Sequence, residues 1–190
     1  AYGVLPIFGG KATRAIEYTE SIGKTYVAEC KLGVETDTED STGNVLRAVD
    51  NIEAPSWDEL EEVVQSFQGS IEQRPSKYSA IKINGQRAYD LARAGVDFDL
   101  PARLIQIYDI ELLAYAFPFF TIRVRCSAGT YVRALLRDIC QQLGVCGMMT
   151  QLCRTAVGQC KIEQSVTIEE LEMLGKQVVK PVDTLLDHLP

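Results

Sequence analysis

The sequence predicts an α+β domain, on three observations. Apolar–polar alternation of period two recurs both early and late in the chain, which excludes a simple helical bundle. Between those stretches lie amphipathic segments with helix-start signals. No internal repeat and no long linker divides the 190 residues, so one sizeable core with at most a small appendage is expected.

Composition narrows the class. Apolar residues make up 46% of the chain, too many for disorder. No apolar run approaches the roughly 20 residues that span a bilayer, and no basic-then-apolar start reads as a signal peptide. The net charge of −7 argues against indiscriminate nucleic-acid binding but leaves room for a local basic surface. The six cysteines, at 30, 126, 140, 146, 153 and 160, form no C-x-x-C pair and no usual zinc spacing. Reduced, buried thiols in a cytoplasmic protein are the favoured reading, with metal or disulfide use left open. The chain opens at Ala1 without methionine and stops at Pro190. This start fits either processing or a fragment cut from a larger protein.

Taken in order, Gly9-Gly10 marks a turn and residues 12–18 a short helix. After a turn over 20–23, Lys24 to Leu32 alternates as a strand. Tyr26, Ala28, Cys30 and Leu32 share one face, so Tyr26 is either a core ring or a ligand-facing one. Residues 33–44 carry Glu35, Asp37, Glu39 and Asp40 and read as a solvated loop, since no complete calcium-loop pattern is met. Residues 45–49 return as a strand. Ser56 and Glu59 compose a capping box, with Trp57, Leu60, Val63, Val64 and Phe67 as the buried stripe of the helix they start. Residues 50–62 hold six acids and no base, a poor surface for a polyanion.

The sign then reverses. Over 71–93, Arg74, Lys77, Lys82, Arg87 and Arg93 outnumber Glu72 and Asp90, and Tyr78 stands among them, a composition suited to RNA. Asn84-Gly85 signals a hairpin or a tight helix entry, and residues 88–94 a short helix closed by Gly95. One or two strands follow over 104–115 before Pro118 interrupts. In residues 120–126, Phe120, Ile122, Val124 and Cys126 share a buried face while Thr121, Arg123 and Arg125 face away. Val132, Leu135, Leu136, Ile139, Cys140 and Leu143 then form one helical stripe, stopped by Gly144. Residues 147–153 are small or apolar, 156–160 form a further strand, and Thr167 with Glu170 makes a second capping box.

Candidate chemistry centres on the strand–turn–helix junction at Cys126-Ser127-Ala128-Gly129-Thr130-Tyr131-Val132-Arg133. Arginines 123, 125, 133 and 137 fall within fifteen residues free of acids, making this the favoured place for an anion. Neither a phosphate-binding loop nor a dinucleotide fingerprint is present. The one histidine, His188, sits near the end, which excludes a histidine-centred triad. Asp138 shares the helix without being singled out by its spacing. The residues alone support an α+β domain with a nucleic-acid ligand and leave catalysis open.

Several ordered motifs carry a resemblance. They are Gly3-Val4-Leu5-Pro6 with Ala12-Thr13-Arg14, Lys24-Thr25-Tyr26, and Thr36-Asp37-Thr38-Glu39-Asp40 with Gly43. Gly69-Ser70-Ile71-Glu72-Gln73 leads into Pro75-Ser76-Lys77-Tyr78-Ser79-Ala80-Ile81-Lys82, and Ser127-Ala128-Gly129-Thr130-Tyr131-Val132-Arg133 completes the set. Together they resemble the TruB family of bacterial tRNA pseudouridine-55 synthases. The resemblance implies a mixed, largely antiparallel central sheet flanked by helices. It implies conversion of a flipped-out T-loop uridine to pseudouridine by cleavage at N1 and rejoining through C5. No metal or organic cofactor, no membrane and no obligatory protein partner is implied. The expected partner is the tRNA T-arm, met by a cytoplasmic monomer.

By similarity, Tyr26 matches the tyrosine that stacks on the target base and assists proton removal. Arg133 matches the arginine paired with the catalytic aspartate. Tyr131 and Leu152 match pocket residues, and Tyr78, Lys82 and Arg154 match RNA-contact or supporting residues. The family's aspartate lies in a Gly-x-x-Asp-Pro-x-Ala-x-Gly-Val-Leu-Pro stretch, of which Ala1-Tyr2-Gly3-Val4-Leu5-Pro6 matches only the end. The expectation is therefore an incomplete catalytic domain over residues 1–190, lacking its N-terminal aspartate segment and any C-terminal RNA-binding extension. Neither Asp37, Asp40 nor Asp138 is expected to replace that aspartate, and this chain alone is expected to be inactive. The competing reading is a non-catalytic RNA-binding or structural domain on the same scaffold.

Overall fold

The computed structural model describes residues 1–19 and 22–181; Glu20, Ser21 and His188 lie outside them. The strands are β1 (Tyr2–Gly3), β2 (Lys24–Leu32), β3 (Val34–Thr36), β4 (Val45–Ala48), β5 (Gly69–Gln73), β6 (Lys82–Ile83), β7 (Gln86–Arg87), β8 (Arg103–Ala116), β9 (Phe119–Cys126), β10 (Gly147–Val157) and β11 (Cys160–Lys161). The α-helices are α1 (Ile16–Thr19), α2 (Trp57–Ser66), α3 (Ala88–Arg93), α4 (Val132–Gln142) and α5 (Ile168–Leu174).

Among the described residues, the main sheet has seven strands, in the order β1-β10-β2-β9-β8-β5, with β11 on β10. Only the β1–β10 pair is parallel. This is the α+β class that the alternation predicts, with the mixed, largely antiparallel sheet that the resemblance implies. The pleat explains the central strands: Ala28, Cys30 and Leu32 on β2 and Ile122, Val124 and Cys126 on β9 are buried and face the same side. Helices α2 and α4 cover that side with Leu60, Val64, Leu135, Leu136 and Ile139. Ile139 is 0% exposed, so Ile139→Ala is expected to cost about 2–5 kcal/mol in urea unfolding. A cost below about 1 kcal/mol would show that α4 is not an essential layer of the core.

Both capping boxes form: Ser56 and Thr167 each accept from the backbone three residues on, and Glu59 and Glu170 reach back. At Asn84-Gly85 both φ angles are positive, 49° and 87°, as a two-residue hairpin of mirror-image turn type requires. No helix among the described residues is long and apolar enough to cross a membrane.

Four expectations need correction. Trp57 is 40% exposed: at the first residue of α2, its indole N–H donates to Glu61 (3.2 Å) along the helix surface. The strand expected over 156–160 starts earlier, because the small and apolar 147–153 segment is part of it. β10 runs through Val157 and absorbs irregularities beside Thr150 and Thr155. The helix over 12–18 divides into a 3-10 turn, Gly10–Ala15, and a short α1. Residues 33–44 are not a solvated loop. β3 pairs with β4, Thr36 is buried, and the turn docks on β10 through Met149 N–H to Glu39 O and Ser41 N–H to Met149 O, both 3.0 Å.

Candidate functional site

The sheet supplies one wall. Tyr26 stands opposite Val124 on β9 and opposite Arg154 on β10, and Leu152 stands opposite Ala28. Directly opposed residues share a face, so Tyr26, Leu152 and Arg154 share the face on which α4 lies. Cys30 and Cys140, with sulfurs 3.5 Å apart, mark where the helix meets that face. Tyr26 and Leu152 are half-buried and pack against the core edge, leaving ring and side chain reachable. Arg154 donates from Nε to the Val4 carbonyl (2.7 Å), while Val4 N–H donates to the Arg154 carbonyl (2.8 Å). Its guanidinium also faces the Tyr26 hydroxyl. Burial, and then Cys126, push the Tyr26 phenol above its ordinary range against the pull of Arg154. At neutral pH it is therefore a neutral O–H.

The second wall is the start of α4. The Ser127–Thr130 turn is tied by Thr130 Oγ1 to Ser127 O (3.0 Å) and by Gln106 N–H to Ser127 Oγ (3.0 Å). Gly129 takes φ +82° with open space beside it, so a backbone or ligand can come close there. Gln73, buried at the end of β5, grips Tyr131: its Oε1 accepts from Tyr131 N–H (2.8 Å) and its Nε2 donates to Tyr131 O (3.1 Å).

Arg133 projects from the first turn of α4 into three acceptors. They are Asp40 Oδ2 (3.0 Å), Thr38 O (2.9 Å) and Tyr78 O (2.9 Å). Asp40 is itself held by Thr38 Oγ1 (2.8 Å), Thr42 Oγ1 (2.6 Å) and Thr42 N–H (3.0 Å). Burial raises the Asp40 carboxyl, but the Thr42 and Thr38 hydrogen bonds and Arg133 outweigh it and hold it below the usual carboxylate range. The pair is a fixed Arg⁺–Asp⁻ clamp, not a proton carrier near neutrality. Within this chain, Asp40 is the carboxylate that Arg133 meets.

One helical turn on, Arg137 bonds Glu39 Oε1 (2.6 Å) and Arg74 O (2.9 Å) and pairs with Asp138. Hence the four arginines do not converge on an anion. Arg123 pairs with Glu111 and Arg125 stacks over Tyr108, both on the opposite sheet face, where they sit across from Val27 and Thr25. Lys82 is exposed on the β6–β7 hairpin, away from the two walls, whereas Tyr78 joins them through its carbonyl. A cavity of about 760 Å³ opens beside the 36–39 segment, bordered by Asp37, Arg47, Arg74, Lys77, Tyr78 and Arg137. Tyr26, Leu152 and Arg154 do not line it, and its Arg74 and Lys77 are already paired with Asp99 and Asp97. No metal-binding cluster occurs among the described residues, and the six cysteines are free.

Asp40, Gln73 and Thr38 are the positioning residues that sequence reasoning passed over. The signal that could have found the first and last is Thr36-Asp37-Thr38-Glu39-Asp40, where hydroxyls alternate with acids. Such a run favours local side-chain-to-backbone bonding over a loose loop.

Comparison with known proteins sharpens this geometry. The model for the TruB family pseudouridylate synthase (N terminal domain) matches residues 1–132. The model for the tRNA pseudouridylate synthase B C-terminal domain matches residues 133–187. The tRNA pseudouridine synthase B of Dehalococcoides mccartyi (strain BAV1) is 40% identical over 197 residues, covering 100% of this chain and 65% of that protein. The namesake in Azoarcus sp. (strain BH72) is 40% identical over 194 residues, covering 100% and 64%. The chain thus spans about 65% of the length of the curated relatives it matches. Among solved structures, a Cbf5-Nop10-Gar1 complex contains a chain matched at TM-score 0.73 and 26% identity, covering 99% of this chain and 50% of that one. The archaeal box H/ACA sRNP Nop10-Cbf5 complex matches at TM-score 0.66 and 24% identity over 99% and 49%, a likeness of fold alone.

These matches correct the expectation of a partial catalytic domain alone, with an N-terminal model over residues 1–132 and a C-terminal one over residues 133–187. Both an N-terminal and a C-terminal domain model find their counterparts here, and together they cover nearly the whole chain. The two matches meet between Val132 and Arg133, so the site brings Tyr26, Asp40 and Tyr78 from one together with Arg133, Leu152 and Arg154 from the other.

Proposed function

Because the chain belongs to the TruB family of pseudouridylate synthases, we propose that the protein carrying it isomerises a uridine of tRNA to pseudouridine, acting on the T-loop at position 55. What supports this most is the placement of Tyr26, Leu152 and Arg154 on one sheet face beside the Tyr131–Arg133 start of α4. The relatives matched in sequence are tRNA pseudouridine synthases by name.

In this proposal the target base leaves its stack and lies against Tyr26, with Leu152 filling the apolar side of the pocket. Stacking and apolar contact offset an unstacking cost of a few kcal/mol. The N1–C1′ bond breaks, the base turns, and a C5–C1′ bond forms. The C5 proton leaves and N1 gains one, so atoms and charge balance. Tyr26 enters as a neutral phenol, suited to stacking and donating rather than to acting as the initial base. Arg154 orients its hydroxyl. Arg133 and Asp40 position the first turn of α4 and the 74–78 segment around the base. Tyr78 and Lys82 contact RNA outside the pocket. The chemistry asks for no metal or organic cofactor, and free thiols suit a cytoplasmic setting.

The test uses the native protein that contains this sequence, with T-arm RNA carrying [5-³H]uridine at the target position. Tritium release with formation of pseudouridine is the expected result. Binding without release would instead favour a non-catalytic RNA-binding domain. Tyr26→Phe retains the ring but removes the hydroxyl. We expect it to bind T-arm RNA within about threefold of wild type while slowing product formation by about 10²-fold. Equal losses in binding and rate would sink the assignment of the hydroxyl to the chemical stage.

A further inference from the structure

The two arginines of α4 act on adjacent residues of one turn. Arg133 holds Asp40 and Arg137 holds Glu39, each with side chains 16–23% exposed. Their backbone acceptors follow the same order, Tyr78 O for Arg133 and Arg74 O for Arg137. Two successive helix turns therefore clamp two successive residues of the 36–42 turn and two points of the 74–78 segment. Glu39 occupies the left-handed region at φ 62°, which costs a non-glycine residue on the order of 1 kcal/mol or more. Its own N–H donates to Thr36 O (3.1 Å) and its carbonyl accepts from Met149 N–H (3.0 Å), so the strained unit is held from both the turn and β10.

The φ of Glu39 sets the direction in which the chain leaves toward Asp40, and hence where the Asp40 carboxylate meets Arg133. We propose that Glu39 and Arg137 are a positioning pair for the reactive centre, fixing the Asp40–Arg133 clamp through the left-handed turn. This rests on the function proposed above. Neither residue touches substrate in this scheme. Burial pushes the Glu39 carboxyl upward despite Arg137, and the adjacent Arg137–Asp138 contact supplies a second anion that keeps Arg137 charged and oriented. A plain stabilising salt bridge needs no such alignment with the first clamp.

The experiment compares Glu39→Gly, Arg137→Lys and the double variant with wild type, in the native protein containing this sequence. Glycine adopts the left-handed φ without strain, so Glu39→Gly removes the pair while favouring the folded turn. Lysine keeps the charge of Arg137 but not its planar fork. With the tritiated T-arm RNA, each single variant should lower kcat by about tenfold with KM and RNA Kd within about twofold. The double variant should lose no more than the worse single one, because the pair acts as a unit. Independently of turnover, the ¹⁵N–¹H signals of the Arg133 guanidinium should shift in Glu39→Gly. Wild-type kcat together with unmoved Arg133 signals in a folded Glu39→Gly protein would overturn the proposal, as would losses confined to KM. If wild type itself forms no pseudouridine, the functional reading fails, and the Arg133 signals still decide the positioning pair.

Discussion

Arg133→Ala is expected to lower pseudouridine formation by about 10²-fold or more while weakening initial RNA capture far less. Truncation removes the donor for Asp40, Thr38 O and Tyr78 O at once. Asp40 keeps its threonine bonds but loses its counter-charge. Breaking a buried pair costs about 3–5 kcal/mol; because these side chains remain 23% and 19% exposed, about 2–3 kcal/mol of stability is the appropriate expectation. Arg133→Lys should fall between, since one ammonium cannot address three diverging acceptors in the plane of a guanidinium.

The effect has a pH signature. Asp40 is held below its ordinary carboxylate range, so its ionised form favours the folded state. That stabilisation is fully present above the unfolded carboxyl pKa of about 3.9 and is lost as pH falls through the lower folded value. The stability gap between wild type and Arg133→Ala should therefore narrow on acidification below about pH 4. Thermal unfolding across pH measures the gap, and single-turnover conversion measures the rate. A folded Arg133→Ala protein converting RNA at the wild-type rate would reject the clamp as part of the reactive centre.

Gly3→Ala is the second large effect. Gly3 has φ +126°, and a Cβ there would fall on the Arg154 carbonyl oxygen and within 2.6 Å of its nitrogen. Both obstacles are backbone atoms and cannot swing aside. The expected outcome is detachment of β1 from β10, at about 2–4 kcal/mol from strain and lost hydrogen bonds. The Val4 amide should lose protection in hydrogen exchange, while the amides of Ile122 and Ile139 should stay protected. Arg154 then loses its Val4 anchor beside Tyr26, so product formation should fall with β1 detachment. A Val4 amide as protected as in wild type would show that β1 tolerates the methyl group.

The elements themselves were largely readable. Alternation marks β2 and β9, the 3.6-residue stripe marks α4, the capping boxes mark α2 and α5, and Asn84-Gly85 marks a hairpin. Each is a local signal, carried by residues within a few positions of one another. The site was readable only in its parts. Arg133 and Tyr26 stand out by residue type, but the partner of Arg133 lies 93 residues away in sequence. Glu35 to Asp40 looks like a solvated acidic run because charge alone does not reveal that two arginines of a distant helix meet it. Gln73 shows the same limit: a polar residue at a strand end is ordinary until its amide closes on the Tyr131 backbone. The arginine cluster failed for the complementary reason. Alternation sends Arg123 and Arg125 to one side of the sheet, and the helix sends Arg133 and Arg137 to the other.

The junction of β1 with β10 also imposes an order of assembly. The Arg154–Val4 hydrogen bond spans 150 residues of chain. At a synthesis rate of about 5–20 residues per second, Val4 is made roughly 8–30 s before its partner. The hairpin contacts of β8 and β9 close much shorter loops and can form sooner. β1 can therefore pair only after β10 has been made, and the orientation of Arg154 toward Tyr26 is completed at that docking.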